Sequence, residues 1–503
     1  MTTTVQAAPI VATSRGAVRG SREDDVCVFR GIPYARPPVG DLRFRPPVPP
    51  EPWGGVRDAT RFGRRHIQVY DPVEGPLMHA SARQPEGDDC LNLNVWTPDP
   101  AAGGLPGLVW IHGGSLKFGA GSDELYDGAT FARDGVVTVT LNYRLHPAGY
   151  LYVPGRSGAG AFGLLDQIAA LEWVRDNIAA FGGDPARVTV AGESAGGHSV
   201  GALLGAPAAR GLFRRAIPQS GASSFDVSPE AAAVHGTEVL RRLGVDPADD
   251  AALATIDGAA LLAASEEAER DMLPRLARHG VDPGLMTRAC RSSSLITSGG
   301  DVLPRRPLAA VADGAAAGVD LLIGTTLDEA GLFPPAFNAT APAVAEAAFG
   351  TPELPAPYRA HDDADQRFVT DTLFRIPAIR LAEAALPHHS RVFMYVMAWG
   401  SPPEGGGCGA VHALDLPFMW KRIDAVAAAI FTMAGRAPSP AFAEAMHGAW
   451  VRFITDGTPA DPALPEWPTY DTARRATMWL DDESRVVDDP MAAERRAWRG
   501  VEF

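Results

Sequence analysis

What this chain lacks narrows the field before any motif is considered. Its 503 residues hold only four cysteines, Cys27, Cys90, Cys290 and Cys408, and no Cys-x-x-Cys pair. That spacing excludes the common zinc sites and a disulfide framework. Positive charge is in deficit: 45 Lys and Arg stand against 60 Asp and Glu, for a net −15. Such a balance argues against a general binder of nucleic acid or of anionic membranes, which needs a basic face. No uncharged apolar run approaches the length of a membrane span. Residues 1–15 lack the basic start and apolar core of a secretory signal. No internal repeat is evident. The expectation is a cytoplasmic protein with no metal site, no nucleic-acid partner and no membrane partner, as a monomer or small homo-oligomer.

What is present reads as ordinary globular usage, 46% hydrophobic and 21% charged. Residues 9–31 alternate around Gly16 and Gly20 and predict an antiparallel hairpin. The stretch from Phe29 to Pro47 carries so many prolines that a long ordered surface loop is expected. Leu91–Thr97 alternates as a strand, Gly107–Ile111 is a continuous apolar run, as a buried parallel strand is, and Val136–Asn142 reads as the next buried strand. Leu164–Phe181 has apolar residues at helical spacing, stopped by Gly182-Gly183-Asp184-Pro185. Alternating strands and helices predict an α/β fold with a large, mostly parallel sheet covered on both faces. The strand pattern returns at Asp320–Gly324 and Arg391–Trp399. Residues 1–503 therefore read as one catalytic domain, with helical insertions at about 228–300 and 338–385 over the active-site face. Within the first, Glu266–Asp271 reads as a solvated helix face.

The stretch that organises the rest is Val188-Thr189-Val190-Ala191-Gly192-Glu193-Ser194-Ala195-Gly196-Gly197. Three β-favouring residues enter Gly-x-Ser-x-Gly, and small residues open the next helix. This is the strand–elbow–helix context that exposes a nucleophilic serine, with glycines wherever a side chain would clash. A serine hydroxyl needs a base to take its proton, and the base needs an orienting group. In parallel α/β sheets such groups gather beyond the carboxyl ends of strands. Asp328 and Glu329 come after one downstream strand and His412 after the next, in the order Ser, acid, His that an α/β-hydrolase fold requires. Position alone does not choose between the two adjacent acids. His388 and His389 lie at the wrong strand end, and His198 and His112 read as structural. Glu193 reads as a buried structural carboxylate. Backbone N–H groups of Ala195 and of the Gly113-Gly114-Ser115 turn are placed to bind an oxyanion.

With these residues in view, the sequence resembles the type-B carboxylesterase/cholinesterase family of α/β-hydrolases over about residues 9–500. The markers are FRGIPYARPPVGDLRF (29–44), DDCLNLNVWTP (88–98), WIHGG (110–114), LNYRL (141–145) and LLDQIAALEWVRDNIAAFGGDP (164–185). VTVAGESAGGHS (188–199), GTTLDEAGLF (324–333), GAVHALDLPF (409–418) and WPTYD (467–471) come next, in family order. The resemblance implies Ser194 as nucleophile, Glu329 as acid and His412 as base, with oxyanion donors at Gly114, Ser115 and Ala195. Departures are Ala330 for the family's Gly after the acid, and Ser115-Leu116 where Gly/Ala-Phe is usual. His66 replaces a cysteine that secreted animal members pair with the equivalent of Cys90. Residues 71–87 contain no Trp, Tyr or Phe to hold a quaternary ammonium by cation–π attraction, which disfavours choline esters. The chain is thus closer in character to bacterial para-nitrobenzyl-esterase-like and carbamate-hydrolase-like members. The resemblance implies a cofactor-independent serine hydrolase of small to medium apolar or aromatic esters, working through an acyl-enzyme. Leu116, Phe118, Leu332, Phe333 and Met419 are candidate pocket residues. Alternatives are a carbamate or amide hydrolase with the same triad, or a catalytically inactive interaction protein of this fold.

Overall fold

The computed structural model describes residues 8–68, 84–282, 284, 287, 295–388, 390–401 and 406–502. Cys290, His389 and residues 71–83 of the aromatic-free stretch lie outside them. Among the described residues the main sheet has eleven strands. In chain order these are β1 (Ser21–Glu23), β2 (Val26–Pro33), β3 (Asn92–Thr97), β4 (Leu105–Ile111), β5 (Val137–Leu141) and β6 (Gly183–Glu193). They continue as β7 (Arg215–Gln219), β8 (Asp320–Thr326), β9 (Val392–Met397), β10 (Ala476–Leu480) and β11 (Arg485–Asp488). Their spatial order is β11-β10-β9-β8-β7-β6-β4-β5-β3-β2-β1. The run from β10 to β5 is parallel throughout, and antiparallel pairs finish both edges.

The continuous apolar runs have a direct cause. Side chains alternate faces along a strand, so a strand covered on both faces is largely apolar along its whole length. Val109, Ile111, Val188, Val190, Leu321 and Ile323 face one core. Leu108, Trp110, Ala191 and Leu322 face the other. Helices α1 (Phe162–Asn177), α2 (Ala195–Gly205) and α5 (Ile376–Ala385) cover the first. Helices α6 (Asp415–Met419), α7 (Ala428–Ala434) and α8 (Pro440–Asp456) cover the second. Between α2 and α5 come α3 (Pro229–Leu243) and α4 (Gly258–Arg270), with their own small core of Val239, Leu240, Leu261 and Ala264.

Three expectations need correction. The proline-rich stretch is not all loop: Phe29–Pro33 completes β2 against β3, with a register shift between Phe29 and Ile32. Pro33 is tolerated because it is the last residue of the strand. Within 338–385, α5 packs directly on β8 and β9 as part of the sheet's helical layer. The third concerns Glu266–Asp271. Glu267, Arg270 and Asp271 are exposed, but Glu266 and Glu269 turn inward to Lys117 and His146.

A buried ion pair braces the loops around the sheet. Arg144 Nε and Nη2 each donate to Asp166 at 2.7 Å, and Arg144 Nη1 donates to the carbonyl of Arg45 at 2.9 Å. This bidentate pair ties the loop after β5 to α1 and to the proline-rich stretch. Cys27, Cys90 and Cys408 are free thiols. Among the described residues no helix is long and apolar enough to cross a membrane.

Burial holds His66, His112, His198 and His235 down at about 4, since a charged imidazole is disfavoured there. Unfolded histidine titrates near 6.5. Between these values the unfolded chain binds more protons than the folded one, so stability falls as pH drops. The urea midpoint is expected to fall between pH 6.5 and 4, with uptake of about four histidine protons on unfolding. A flat midpoint over that range would contradict the buried-neutral assignment.

Candidate active site

The parallel register brings the carboxyl ends of five strands into line. Ile111 pairs with Gly192, Glu193 with Gln219, Gln219 with Gly324, and Thr326 with Met397. The residues just beyond these strands therefore meet at one edge.

Ser194 stands between β6 and α2 at φ 56° and ψ −123°, a backbone conformation that costs a non-glycine residue about 1–3 kcal/mol. The surroundings impose it. A Cβ on Gly196 would lie 2.0 Å from the Ile111 carbonyl oxygen, and one on Gly192 would lie 2.6 Å from the backbone of Gly196. Helix α2 thus sits against the end of β4 with no room for side chains. The Ser194 N–H donates to the Gln219 carbonyl at 3.0 Å, which pins the elbow to β7. Ala195 begins α2, so its N–H has no acceptor within the helix.

The turn after β4 abuts the elbow. A Cβ on Gly113 would come 3.2 Å from the Ser194 Cβ. Gly114, Ser115 and Leu116 all have left-handed φ, at 100°, 56° and 59°. The Gly114 carbonyl accepts from Lys117 N at 2.8 Å and Phe118 N at 3.0 Å, which closes the turn. His112 orients this loop, donating from Nδ1 to the Gly113 carbonyl at 2.8 Å and stacking on Tyr143 at 4.5 Å.

His412 donates from Nδ1 to Glu329 Oε2 at 2.5 Å. Glu329 has no exposed surface, and its Oε1 accepts the Thr326 N–H at 2.8 Å. Asp328 turns away. Its Oδ2 accepts the Ala410 N–H at 2.9 Å, shaping the loop that carries His412, and burial raises its pKa. Glu193 is the residue whose position the sequence did not convey: its Oε1 lies 3.2 Å from His412 Nε2. Beneath them, Asp415 Oδ2 accepts from Gln219 Nε2 and Tyr395 Oη, both at 2.8 Å, and Trp450 Nε1 donates to Gln219 Oε1 at 3.2 Å. His198 stacks on Phe225 at 4.5 Å, in a structural role.

A cavity opens on Gly113, Gly114, Ser194 and His412. Its apolar wall includes Leu125, Tyr126, Leu332, Leu416, Val426 and Ile430. Of the five side chains expected there, only Leu332 lines it. Leu116, Phe118 and Met419 are packed in the core, because the left-handed turn and the inner side of α6 direct them inward. Phe333 is half-buried, its ring 5.5 Å from that of His412 and stacked at 6.2 Å on Phe374. The wall from Val426 to Ile430 lies in a segment with no motif to announce it.

The pattern of the Carboxylesterase family matches residues 7–351 and 355–498. The chain belongs to that family. It is 39% identical over 505 residues to the para-nitrobenzyl esterase of Bacillus subtilis (strain 168), covering 97% of this chain and 98% of that one. It is 35% identical over 509 residues to the phenmedipham hydrolase of Pseudarthrobacter oxydans, at 96% and 97% coverage. Among solved structures, a thermophilic para-nitrobenzyl esterase superposes with a TM-score of 0.85 at 36% identity, over 98% of this chain and all of that one. The Geobacillus stearothermophilus carboxylesterase gives 0.81 at 36% identity, over 97% and 100%. This carboxylesterase is accordingly a serine enzyme that hydrolyses carboxylic esters on an α/β-hydrolase fold.

The two adjacent acids differ sharply in setting, which makes them separable. Glu329→Gln is expected to lower kcat roughly 10³–10⁴-fold, because an amide no longer favours the Nδ1–H tautomer. Asp328→Asn keeps an acceptor for Ala410 N–H and should stay within about tenfold of the parent. Steady-state rates on a para-nitrophenyl ester decide, and the reverse ranking would move the orienting acid to Asp328.

Proposed function

We propose that Ser194 is the nucleophile, His412 the general base and Glu329 the acid that orients it, with Gly114, Ser115 and Ala195 N–H groups binding the oxyanion. Support comes from the short bond between His412 Nδ1 and the fully buried Glu329, and from the cavity that Ser194 and His412 share. With Nδ1 committed to Glu329, Nε2 is the nitrogen left basic. Ser194 Oγ attacks the ester carbonyl as Nε2 takes its proton. The negative oxygen of the tetrahedral adduct is held by backbone N–H groups fixed in place beforehand, where one donor is worth about 10²–10³ in rate. Glu329 and Glu193 face opposite nitrogens of the imidazolium and stabilise it. His412 then protonates the departing alcohol. Water, deprotonated by the same nitrogen, releases the carboxylic acid and restores Ser194.

The substrates we infer are small to medium esters with an apolar or aromatic group, because the wall beside Ser194 is built of Leu, Val, Ile and Tyr side chains. A cytoplasmic location, a monomeric or small homo-oligomeric state and a single catalytic domain complete the reading. The acidic charge and the free thiols Cys27 and Cys90 agree with it.

Ser194→Ala is expected to reduce turnover by about 10⁴-fold or more, and an organophosphonate should label the peptide that contains Ser194. Retained turnover, or labelling elsewhere, would remove Ser194 from the mechanism. In a panel varying acyl and alcohol groups separately, each added apolar carbon that fits should raise kcat/KM by roughly tenfold or more. Preference for charged esters would contradict the apolar cavity.

A further inference from the structure

The oxyanion turn is strained along its length. Three consecutive residues, Gly114, Ser115 and Leu116, hold left-handed backbone, and only the first is a glycine. Ser115 and Leu116 would relax toward ordinary φ unless their surroundings prevented it. Relaxation would rotate the peptide planes of the turn, and with them the N–H groups proposed to bind the oxyanion.

Three contacts oppose it. Gln68 clamps one side, accepting the Gly119 N–H at 2.7 Å and donating to the Gly119 carbonyl at 3.2 Å. The other two lead to α4. The Leu116 carbonyl accepts the His146 N–H at 2.6 Å. His146 has left-handed backbone itself, at φ 45°, and its Nε2 donates to Glu266 Oε1 at 2.7 Å. The next residue of the turn, Lys117, forms an ion pair with Glu269, and its Nζ lies 3.8 Å from Glu266. Glu266 and Glu269 are three apart on α4, so both project from one side of the helix. The Glu269 side chain is only 8% exposed and that of Lys117 20%.

An exposed ion pair is worth little, but this one is largely out of water, where removing one partner takes from the other its nearest counter-charge. We propose that Lys117 is a positioning residue: its ion pair with Glu269, backed by the His146–Glu266 bond, latches the strained oxyanion turn to α4. Lys117 touches no reacting atom. It acts through the backbone of Ser115 and Leu116, so the helical segment 258–270 sets the geometry of a site it does not line. The proposal rests on the reading that the Gly114 and Ser115 N–H groups bind the oxyanion.

The test compares Lys117→Met, Lys117→Arg, Glu269→Gln and the Met/Gln double variant on a para-nitrophenyl ester, alongside phosphonate labelling of Ser194. Phosphonylation also develops an anionic oxygen in the oxyanion site, so both rates report the turn. Lys117→Met and Glu269→Gln should each lower kcat and the labelling rate about 10–100-fold, since a misplacement near 1 Å can cost about 10²-fold, with KM within about threefold. The double variant should be no worse than either single one, as two ends of one interaction require. Lys117→Arg should recover to within about threefold. Glu269→Gln keeps its shape, and the thermal midpoint of each variant separates misfolding from a displaced turn. A parent-like kcat in Lys117→Met, or a loss that Arg does not rescue, would overturn the latch. Gly114→Ala separates the two readings. A Cβ there would meet the Phe118 carbonyl oxygen at 2.1 Å, and the φ of 100° disfavours any side chain. If Gly114→Ala keeps full activity, the oxyanion reading itself fails. If it is inactive while Lys117→Met is fully active, the latch alone fails.

Discussion

Everything at the active edge depends on one contact of backbone against backbone, the first turn of α2 on the carboxyl end of β4. At Gly196 the gap admits no carbon beyond Cα, and Gly192 faces the same crowding. That closeness forces Ser194 into left-handed backbone and holds the turn after β4 against it. Ser194 and the turn after β4 are thereby fixed relative to each other by main chain, the stiffest part of the fold, while His412 and Glu329 are brought in as side chains. The parallel register does the rest, bringing the ends of β8 and β9 alongside.

The fold was legible because its pattern is local. Strands covered on both faces are largely apolar along their length, so GLVWI announces itself, β-branched VVTVT reads as a strand, and the glycines around Ser194 mark the elbow. The proline-rich stretch misled because proline excludes a residue only from the interior of a strand, and Pro33 is an end. The candidate triad could be read from strand ends and the resemblance to relatives. Glu193 was harder: its approach to His412 depends on the direction in which the elbow turns, which no spacing encodes.

Contacts between distant segments were out of reach for a plainer reason. Lys117 and Glu269 are 152 residues apart, and a charged helical run looks the same whether it faces water or a buried ammonium. The cavity wall at Val426 and Ile430 comes from a short helical stretch that carries no motif. Leu116 and Met419, beside candidate site segments in sequence, point into the core because a left-handed turn and the inner side of a helix aim them there. Adjacency in the chain was a poor guide to adjacency in the cavity.

The Gln219 strut has a mechanical meaning. Its main-chain carbonyl grips the Ser194 N–H, while its side chain grips Asp415, three residues beyond His412. Ser194 and the segment that carries His412 therefore share a single crossbar. A shear between the strands beneath them would carry both together, so thermal breathing of the sheet is converted into common drift of the pair and not into a change in their separation.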